Sequence, residues 1–387
     1  NYAAFLKTQG VLTEEIEAVS KASIVKEIQD GLDIAFAEPP IESTTTNELN
    51  DVFHQFEYKE IKENNESNNL RLVDAISESL RQSMQRHDNL VLMGQDIADY
   101  GGVFKITDGF LEEFGKDRVR NTPICESAIV SAAMGLSING YKSMMEMQFS
   151  DFVTSGFNPI VNLLAKSNYR WNQKADVVIR MPCGAGVGAG PFHSQTNEAW
   201  FTHTPGLKVV YPAFPYDAKG LLATSIEDPN PVLFFEHKAL YRSIRQDVPT
   251  NYYTLPLGKA SLINEGNDVS VITYGAGVHW ALDTLKELKH ISVDLIDLRS
   301  LAPLDTDAIY NSVNKTGKVM ILQEDSMFGG IASDIAAMIM ENCFEKLDAP
   351  VKRLASLDTP IPFAANLEAD YLPKNKFKND LLELLAY

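Results

Sequence analysis

The strongest constraint on the fold is an alternation that begins at Leu70 and continues along the rest of the chain. Short, continuous apolar runs alternate with longer segments of helical character. Continuous apolar runs are typical of parallel strands that are covered on both faces by helices. The predicted strands are 90–93, 143–148, 177–181, 208–211, 232–236, 269–273, 291–297, 318–323 and 351–355. The pattern predicts an α/β fold with mainly parallel sheets.

Two doubly wound domains are expected, because the alternation is interrupted once. We interpret the segment 248–256 as a connector, and a second series of strands and helices follows it. The length of 387 residues also allows more than one hydrophobic core. The predicted domains are therefore 70–250 and 251–387.

Residues 1–69 differ from the rest of the chain in charge and in pattern. They carry 5 Lys and Arg against 14 Asp and Glu, half of the net charge of −18. Thr13 followed by two glutamates predicts a helix start, and apolar residues predict one buried face of that helix, at Ile16, Val19, Val25, Ile28 and Leu32. Residues 39–69 have no hydrophobic periodicity, which is typical of a solvated linker. Within them, an apolar island at 52–56 could dock on a neighbouring surface. We predict a helical tail and linker over 1–69.

Composition and chain ends exclude several classes of protein. The acidic balance argues against a nucleic-acid backbone or an anionic membrane as the main partner. Three separated cysteines, Cys125, Cys183 and Cys343, indicate neither a disulfide framework nor a structural zinc site. No apolar run approaches the ~20 residues of a membrane-spanning helix, and no signal peptide is evident. We expect a cytoplasmic protein, and because Asn1 lies within a helical pattern we expect a processed chain or part of a longer one.

Candidate chemistry lies where strands lead into helices, since ligands of open α/β sheets bind at the carboxyl ends of strands. Glu126 stands at the start of the predicted helix 127–139, in otherwise apolar company. By position alone, the helix dipole explains an acid there equally well. Asp96 and Asp99 are spaced like a metal-binding pair, although a solvated loop explains them better.

A glycine-rich run at 184–190 leads from a strand into His193. Its spacing does not follow G-x-G-x-x-G and no helix clearly follows, which excludes a dinucleotide fingerprint. The glycines allow backbone to pass close to a ligand or to adopt positive φ. His193 is the stronger acid–base candidate and His203 the weaker one, while a structural role is the alternative for a loop histidine.

Several collinear motifs together resemble one family, the beta subunit of the thiamine-diphosphate-dependent 2-oxo acid dehydrogenases of the pyruvate, branched-chain and acetoin types. The resemblance covers roughly residues 70–387. The motifs are MGQDIADYGGVF (93–104), RVRNTPICESAI (118–129), MEMQFSDF (145–152), HSQTNEAWFTHTPGLKVVYP (193–212), EDPNPVLFFEHKALYR (227–242), IDLRSLAPLD (296–305), GGIASDI (329–335) and DTPIPFAANLE (358–368). It implies a pyrimidine-binding domain followed by a transketolase C-terminal-like domain.

The tail resembles the C-terminal end of the alpha subunit of the same enzymes. The segment YAAFLKTQGVLTEEIEAV (2–19) and the closing Asp51-Val52-Phe53 carry this likeness. It implies the C-terminal part of a natural alpha–beta fusion. The alternative is an N-terminal extension particular to this beta subunit.

The resemblance also implies roles for individual residues. Glu126 matches the carboxylate placed against the aminopyrimidine ring of thiamine diphosphate, Phe152 matches the aromatic residue packed on that ring, and Ile124 is a further cofactor contact. The cofactor supplies the electron sink, while the protein orients it and manages protons. His193 matches the histidine that passes the acyl group to the lipoyl arm, a proton-transfer role that suits an imidazole.

Metal ions are implied as well. A structural potassium site is implied at Asp228 and Asn230 together with carbonyls near Val177, Val178 and Ser225. Mg²⁺ binding needs a G-D-G motif that is absent from this sequence, so its ligands are expected on the missing alpha portion. One departure is Gln95, where relatives usually have Glu, which puts in doubt an ionised role at this position.

The preferred interpretation is the beta part of a 2-oxo acid dehydrogenase, with a branched-chain 2-oxo acid as substrate. Pyruvate and acetoin dehydrogenases are the alternatives, as is a non-catalytic assembly module; a transketolase-like enzyme does not explain the alpha-type tail. The implied partners are the alpha portion, a second copy in an alpha2beta2-like assembly, and the lipoyl-bearing acyltransferase core.

Overall fold

The computed structural model describes all 387 residues, which form two compact units, 1–50 and 51–387. The first unit consists of the helices α1 (Tyr2–Thr8), α2 (Glu14–Ala37) and α3 (Thr45–Asn50). The hydroxyl of Thr13 accepts a hydrogen bond from the Ile16 N–H at 3.1 Å, so α2 begins where the sequence predicts. No residue of the three helices is buried, and the predicted apolar face of α2 is therefore exposed.

The second unit contains fourteen strands and twelve further α-helices. The strands are β1 (Ser67–Arg71), β2 (Leu90–Gly94), β3 (Val119–Asn121), β4 (Lys142–Glu146), β5 (Val177–Cys183), β6 (Lys208–Val210), β7 (Val232–His237), β8 (Arg245–Pro249), β9 (Ser261–Asn264), β10 (Val269–Thr273), β11 (Val293–Asp297), β12 (Ser300–Ala302), β13 (Val319–Ser326) and β14 (Lys352–Ser356). The helices are α4 (Leu72–Arg86), α5 (Phe110–Phe114), α6 (Glu126–Ile138), α7 (Ser167–Trp171), α8 (Ala199–Thr202), α9 (Pro215–Glu227), α10 (Leu240–Ser243), α11 (Ala276–Leu285), α12 (Thr306–Thr316), α13 (Ala332–Cys343), α14 (Ala365–Tyr371) and α15 (Lys374–Leu385). None of the helices combines the length and apolarity that crossing a membrane requires.

The larger sheet has seven strands in the order β12-β6-β7-β5-β4-β2-β3. All neighbours pair in parallel except β12 with β6. Strands β2, β5 and β7 are buried along their whole length, as continuous apolar runs predict. The edge strand β12 lies between β11 and β13 in sequence, so the chain returns briefly to the first sheet in the middle of the second series of strands. Local periodicity did not reveal this return.

The smaller sheet has five strands in the order β14-β13-β10-β11-β9, with only β9 antiparallel. Alternate residues of its strands pack on opposite faces, against α11 and α15 on one side and α12 and α13 on the other. The second side continues into the core below the larger sheet, where Ile272 and Ile321 belong to the same apolar cluster as Ile179. The α/β architecture with two mainly parallel sheets is confirmed.

The segment between the helical tail and the first sheet is bound to the surface of the second unit. Strand β1 pairs with β8, and the extended stretch before it exchanges hydrogen bonds with residues 250–254. The apolar island at 52–56 docks as predicted: Asn230 donates its side-chain amide to the His54 carbonyl at 3.0 Å and accepts from the His54 N–H at 2.8 Å. The Lys208 ammonium lies over the rings of Phe53 and Phe56. Residues 52–69 therefore form a fixed strap, whereas the sequence predicted a solvated linker on either side of the apolar island.

Replacing Asn230 with Ala is expected to release this strap, because both hydrogen bonds to His54 are lost. The free energy of unfolding should fall by about 1–3 kcal/mol, since the partner groups lose their bonds. Limited proteolysis should then cleave within 51–60 faster than in the parent chain. Asn379→Ala, an exposed change on α15, is the control; equal cleavage in both variants would contradict the anchoring role.

Candidate active site

Three of the predicted site residues, together with Gln95, follow the carboxyl ends of parallel strands of the larger sheet. Gln95 follows β2, Glu126 lies beyond β3, Phe152 follows β4 and His193 follows β5. Because β2, β3, β4 and β5 run in parallel, these ends share one edge. The topology therefore brings together residues that lie up to 98 positions apart in the chain.

Glu126 is the first residue of α6, and only 7% of it is exposed. A carboxylate at this position faces the positive end of the helix dipole. The Gln95 side-chain amide donates a hydrogen bond to Glu126 Oε1 at 3.1 Å, and no protein group donates to Oε2. Gln95 stands where the family pattern has Glu, and its amide donates to the Glu126 carboxylate without adding a second negative charge.

The resemblance implies an activity that depends on Glu126, and replacing Gln95 with Glu is expected to shift the pH profile of that activity to higher pH. Two carboxyl groups at this spacing do not both ionise readily, so one retains its proton to higher pH. Activity measured from pH 5.5 to 9 with saturating cofactor and substrate provides the readout. An unchanged profile would show that the contact with Glu126 has no electrostatic consequence.

An aromatic cluster lies at the same edge of the sheet, after β4 and β5. Phe152 belongs to a 3-10 segment, 150–156, that packs on α6, with Gly156 next to the Glu126 backbone. The ring of His193 meets the rings of Phe149 and Phe152 edge-on, at centroid distances of 4.8 and 5.6 Å. His193 is half-buried, so its ring is held by the two phenylalanines and still reaches solvent.

The other predicted site residues are less closely involved. Ile124 is 81% exposed, just before α6. His203 is exposed at the end of α8 and does not join the aromatic cluster. Asp96 and Asp99 accept hydrogen bonds from Gln148 and Asn121. No group of three or more His, Cys, Asp or Glu side chains is arranged to hold a metal ion.

The side chains predicted to bind potassium lie together, but protein donors already use their oxygens. Asp228 accepts from the Lys208 ammonium through one oxygen and from Asn230 through the other, while the Asn230 oxygen accepts from His54. The Ser225 hydroxyl donates to a backbone carbonyl of its own helix, and Val177 and Val178 lie in the buried strand β5. A cation bound to Asp228 would have to displace Lys208. These side-chain oxygens are therefore already used by protein donors, and a potassium site that includes the carbonyls near Val177, Val178 and Ser225 stays a prediction.

A buried polar cluster between the two sheets was not predicted. Glu198, at the start of α8, accepts from the Tyr274 hydroxyl at 2.6 Å, and its second oxygen has no partner. Burial and the nearby carboxylates of Asp325 and Glu324 raise the pKa of Glu198 to about 8. Nothing in the sequence separates this glutamate from the other acids, because its state depends on residues that follow it by more than 70 positions.

The elevated pKa of Glu198 predicts a specific dependence of stability on pH. Between its ordinary value of 4.5 and about 8, the folded chain holds a proton that the unfolded chain releases. The free energy of unfolding therefore falls as pH rises through this window. Glu198→Gln keeps an acceptor for Tyr274 without the titration, so the variant should melt at a higher temperature than the parent at pH 9 and lose less stability between pH 6 and 9. Equal pH dependence in both chains would contradict the assignment.

Comparisons with known proteins agree with the two-sheet architecture. Residues 69–243 match the family model of the transketolase pyrimidine binding domain, and residues 258–376 match that of the transketolase C-terminal domain. A solved chain described as a split gene transketolase, inactive beta4 tetramer, has the same fold with a TM-score of 0.67 at 22% identity, covering 82% of this chain and 99% of that one. The protein is thus an α/β protein built from two transketolase-type domains.

Curated relatives define the family more narrowly. The chain is 45% identical to the 2-oxoisovalerate dehydrogenase subunit beta of Bacillus subtilis (strain 168), over 78% of this chain and 93% of the relative. It is 42% identical to the pyruvate dehydrogenase E1 component subunit beta of that organism, over 81% of this chain and 97% of the relative. The acetoin:2,6-dichlorophenolindophenol oxidoreductase subunit beta of the same organism is 41% identical, over 82% of this chain and 97% of the relative. The chain belongs to the family of beta subunits of thiamine-diphosphate-dependent 2-oxo acid dehydrogenases.

The family predicted from the motifs is therefore confirmed. The first of the two family models begins at residue 69, and the alpha-type origin of residues 1–69 stays a prediction. The relatives carry names with three different substrates, so identity by itself does not separate those substrates.

Proposed function

We propose that this chain is the beta part of a branched-chain 2-oxo acid dehydrogenase, which decarboxylates the substrate and passes the acyl group to a lipoyl domain. The observation that carries the proposal is the placement of Glu126, Phe152 and His193 at one edge of the larger sheet. The branched-chain substrate agrees with the name of the relative at 45% identity, which includes 2-oxoisovalerate, and pyruvate and acetoin are the alternatives.

Glu126 fits the cofactor that this family uses. One oxygen is held by Gln95 and the other is available to a donor from a bound ring, while burial keeps water from competing with that contact. Thiamine diphosphate, when bound, supplies the electron sink for decarboxylation. In this proposal Glu126 Oε2 holds and returns the proton of the pyrimidine ring, Phe152 packs against that ring, and Ile124 is a further contact.

His193 is proposed to manage the proton of acyl transfer. When the lipoyl disulfide opens, one sulfur bonds to the acyl carbon and the other needs a proton, which the imidazole is placed to donate. Edge-on contacts with Phe149 and Phe152 orient the ring. Its partial exposure gives a lipoyl arm access from solvent.

The proposal also includes an alpha portion that binds Mg²⁺ and the diphosphate group. Residues 1–50 are proposed to be the end of such a portion, because α2 exposes apolar side chains that a larger partner would cover: Val19 and Val25 are 64% and 65% exposed. A second copy of the chain completes an alpha2beta2-like assembly. Potassium is not part of this proposal, given the contacts of Asp228 and Lys208.

The proposal is tested with the chain assembled with its alpha portion, thiamine diphosphate, Mg²⁺ and an isolated lipoyl domain. We expect reductive acylation of the lipoyl domain with 2-oxoisovalerate at a higher kcat/KM than with pyruvate, and no turnover by this chain alone. A preference for pyruvate or for acetoin would reassign the substrate. Stoichiometric tight binding of thiamine diphosphate to the isolated chain, measured by calorimetry, would contradict the need for an alpha portion.

A further inference from the structure

The glycine loop, residues 184–190, leads to His193 and has an unusual backbone. Gly184, Gly186, Gly188 and Gly190 all have positive φ, at 91°, 85°, 68° and 69°. Positive φ is accessible to glycine without the steric cost that other residues meet. Alternating conformations of this kind turn successive N–H groups toward one side, where they form a concave site for an anion.

The anion in this concave site belongs to the protein and comes from far along the chain. Glu368, at 5% exposure, accepts through Oε1 from the Gly186 N–H at 2.8 Å and from the Gly188 N–H at 3.2 Å. Its Oε2 accepts from the Gly188 N–H at 3.1 Å. Glu368 lies in α14, in the C-terminal transketolase-type domain.

A second carboxylate from the same domain holds the beginning of the loop. Glu324, on β13, accepts from the Ala185 N–H at 2.6 Å and pairs with His237 Nε2 at 2.6 Å. His237 ends β7 of the larger sheet, so Glu324 connects the loop to both sheets.

Close packing surrounds both ends of the loop. A Cβ atom at Gly184 would lie 2.2 Å from the His237 ring, and one at Gly190 would lie 2.4 Å from the Phe363 ring. His193 is three residues beyond Gly190, and its N–H donates to the Gly190 carbonyl at 3.4 Å. The position of the imidazole therefore depends on where the glycine loop is held.

We infer that Glu368, assisted by Glu324, positions His193 for acyl transfer, so that the C-terminal domain controls this step through the glycine loop. The inference rests on the proposed function, because it assigns Glu368 to the same step as His193. Glu368 is a positioning residue: it touches the loop backbone and reaches the reacting atoms only through it. Decarboxylation relies in this proposal on Glu126 at the start of α6, whose carboxylate accepts its side-chain hydrogen bond from Gln95 and none from this loop.

Two rates of the assembled enzyme separate these steps. Reductive acylation of a lipoyl domain requires His193, whereas decarboxylation coupled to 2,6-dichlorophenolindophenol, an artificial electron acceptor, needs no lipoyl group. Glu368→Gln places an amide against the Gly188 N–H, and we expect kcat for lipoyl acylation to fall by about 100-fold, the cost of a misplacement near 1 Å. The dye-coupled rate should stay within about 2-fold of the parent enzyme, because Glu126 and its surroundings are unchanged.

Gly188→Ala is a second variant that leaves Glu368 in place. A Cβ there meets no atom within 4 Å, but φ of +68° strains any residue other than glycine, so the change acts on the loop alone. We expect the same selective loss of lipoyl acylation. Glu383→Gln, an exposed glutamate on α15 that pairs with Lys352, is the control and should change neither rate.

His193→Asn separates failure of this inference from failure of the proposed function. If His193→Asn leaves lipoyl acylation unchanged, the proposed role of His193 fails. If His193→Asn removes acylation while Glu368→Gln and Gly188→Ala leave both rates intact, only the positioning inference is overturned. An equal fall of both rates in Glu368→Gln would indicate a general structural role and would also overturn it.

Discussion

Replacing Glu126 with Gln is expected to reduce turnover of the assembled enzyme by at least about 100-fold, because positioned acid–base groups contribute about 10²–10⁴-fold. Glutamine has nearly the same shape and can still accept the Gln95 hydrogen bond through its oxygen. What the variant lacks is a carboxylate that can hold a proton at Oε2. Both the lipoyl acylation rate and the dye-coupled decarboxylation rate should fall, in contrast to the selective effect expected at Glu368.

Glu112→Gln is a matched control for this experiment. Glu112 also lies in the first turn of a helix, α5, but it is exposed. The variant should retain full activity, and thermal unfolding of both variants should show that neither change disturbs the fold. Full activity of Glu126→Gln would exclude the catalytic interpretation and favour a non-catalytic assembly module with the same fold.

Replacing Arg180 with Met is expected to produce a large loss of stability. The Arg180 side chain is completely buried on β5 and binds Glu236 through two nitrogens, at 2.6 Å each, and Glu146 through a third at 2.7 Å. Burial alone would lower the pKa of the Arg180 guanidinium. The negative charges of Glu236 and Glu146 have the larger effect and raise this pKa above its ordinary value. Removing the guanidinium leaves two buried carboxylates without a cation.

The expected cost is about 3–5 kcal/mol in the free energy of unfolding, the range for breaking a buried ion pair from one side. Urea denaturation followed by fluorescence measures it. Neutralising the partners as well, with Glu146→Gln and Glu236→Gln, should recover part of the loss, because the uncompensated charges are then removed. Arg170→Met, at an exposed arginine of α7, is the control, and an equally small effect at position 180 would contradict the argument.

Local sequence patterns were sufficient to predict most of the regular structure. The predicted helix start at Thr13 and the strand over 269–273 agree with the structure, and other strand boundaries differ by only a few residues. Strand burial and helix capping depend on residues that are close in sequence, so periodicity reveals them. The short strands β1, β3, β8, β9 and β12 escaped prediction, because each pairs at a sheet edge or outside the main sheets and lacks a long apolar run.

The candidate site was only partly predictable. Motif resemblance identified Glu126, Phe152 and His193, and position alone left simpler explanations for Glu126 and His193. The hydrogen bond from Gln95 to Glu126 was not predicted. The hydrogen bonds from the glycine loop to Glu368 were not predicted either, because Glu368 lies 182 residues beyond Gly186. Composition does not indicate which of 52 acidic residues meets those N–H groups.

By itself, the sequence determined the α/β class, two mainly parallel sheets and the family of the chain, because these follow from periodicity and from collinear motifs. Only the tertiary structure decided how the parts are joined: β12 returns to the first sheet, the strap is bound through Asn230, and Glu324 and Glu368 hold the loop before His193. The physical reason is that hydrogen bonds and ion pairs depend on distances in space. Burial then determines which of these polar contacts matter, since a polar group removed from water must find its partner inside the protein.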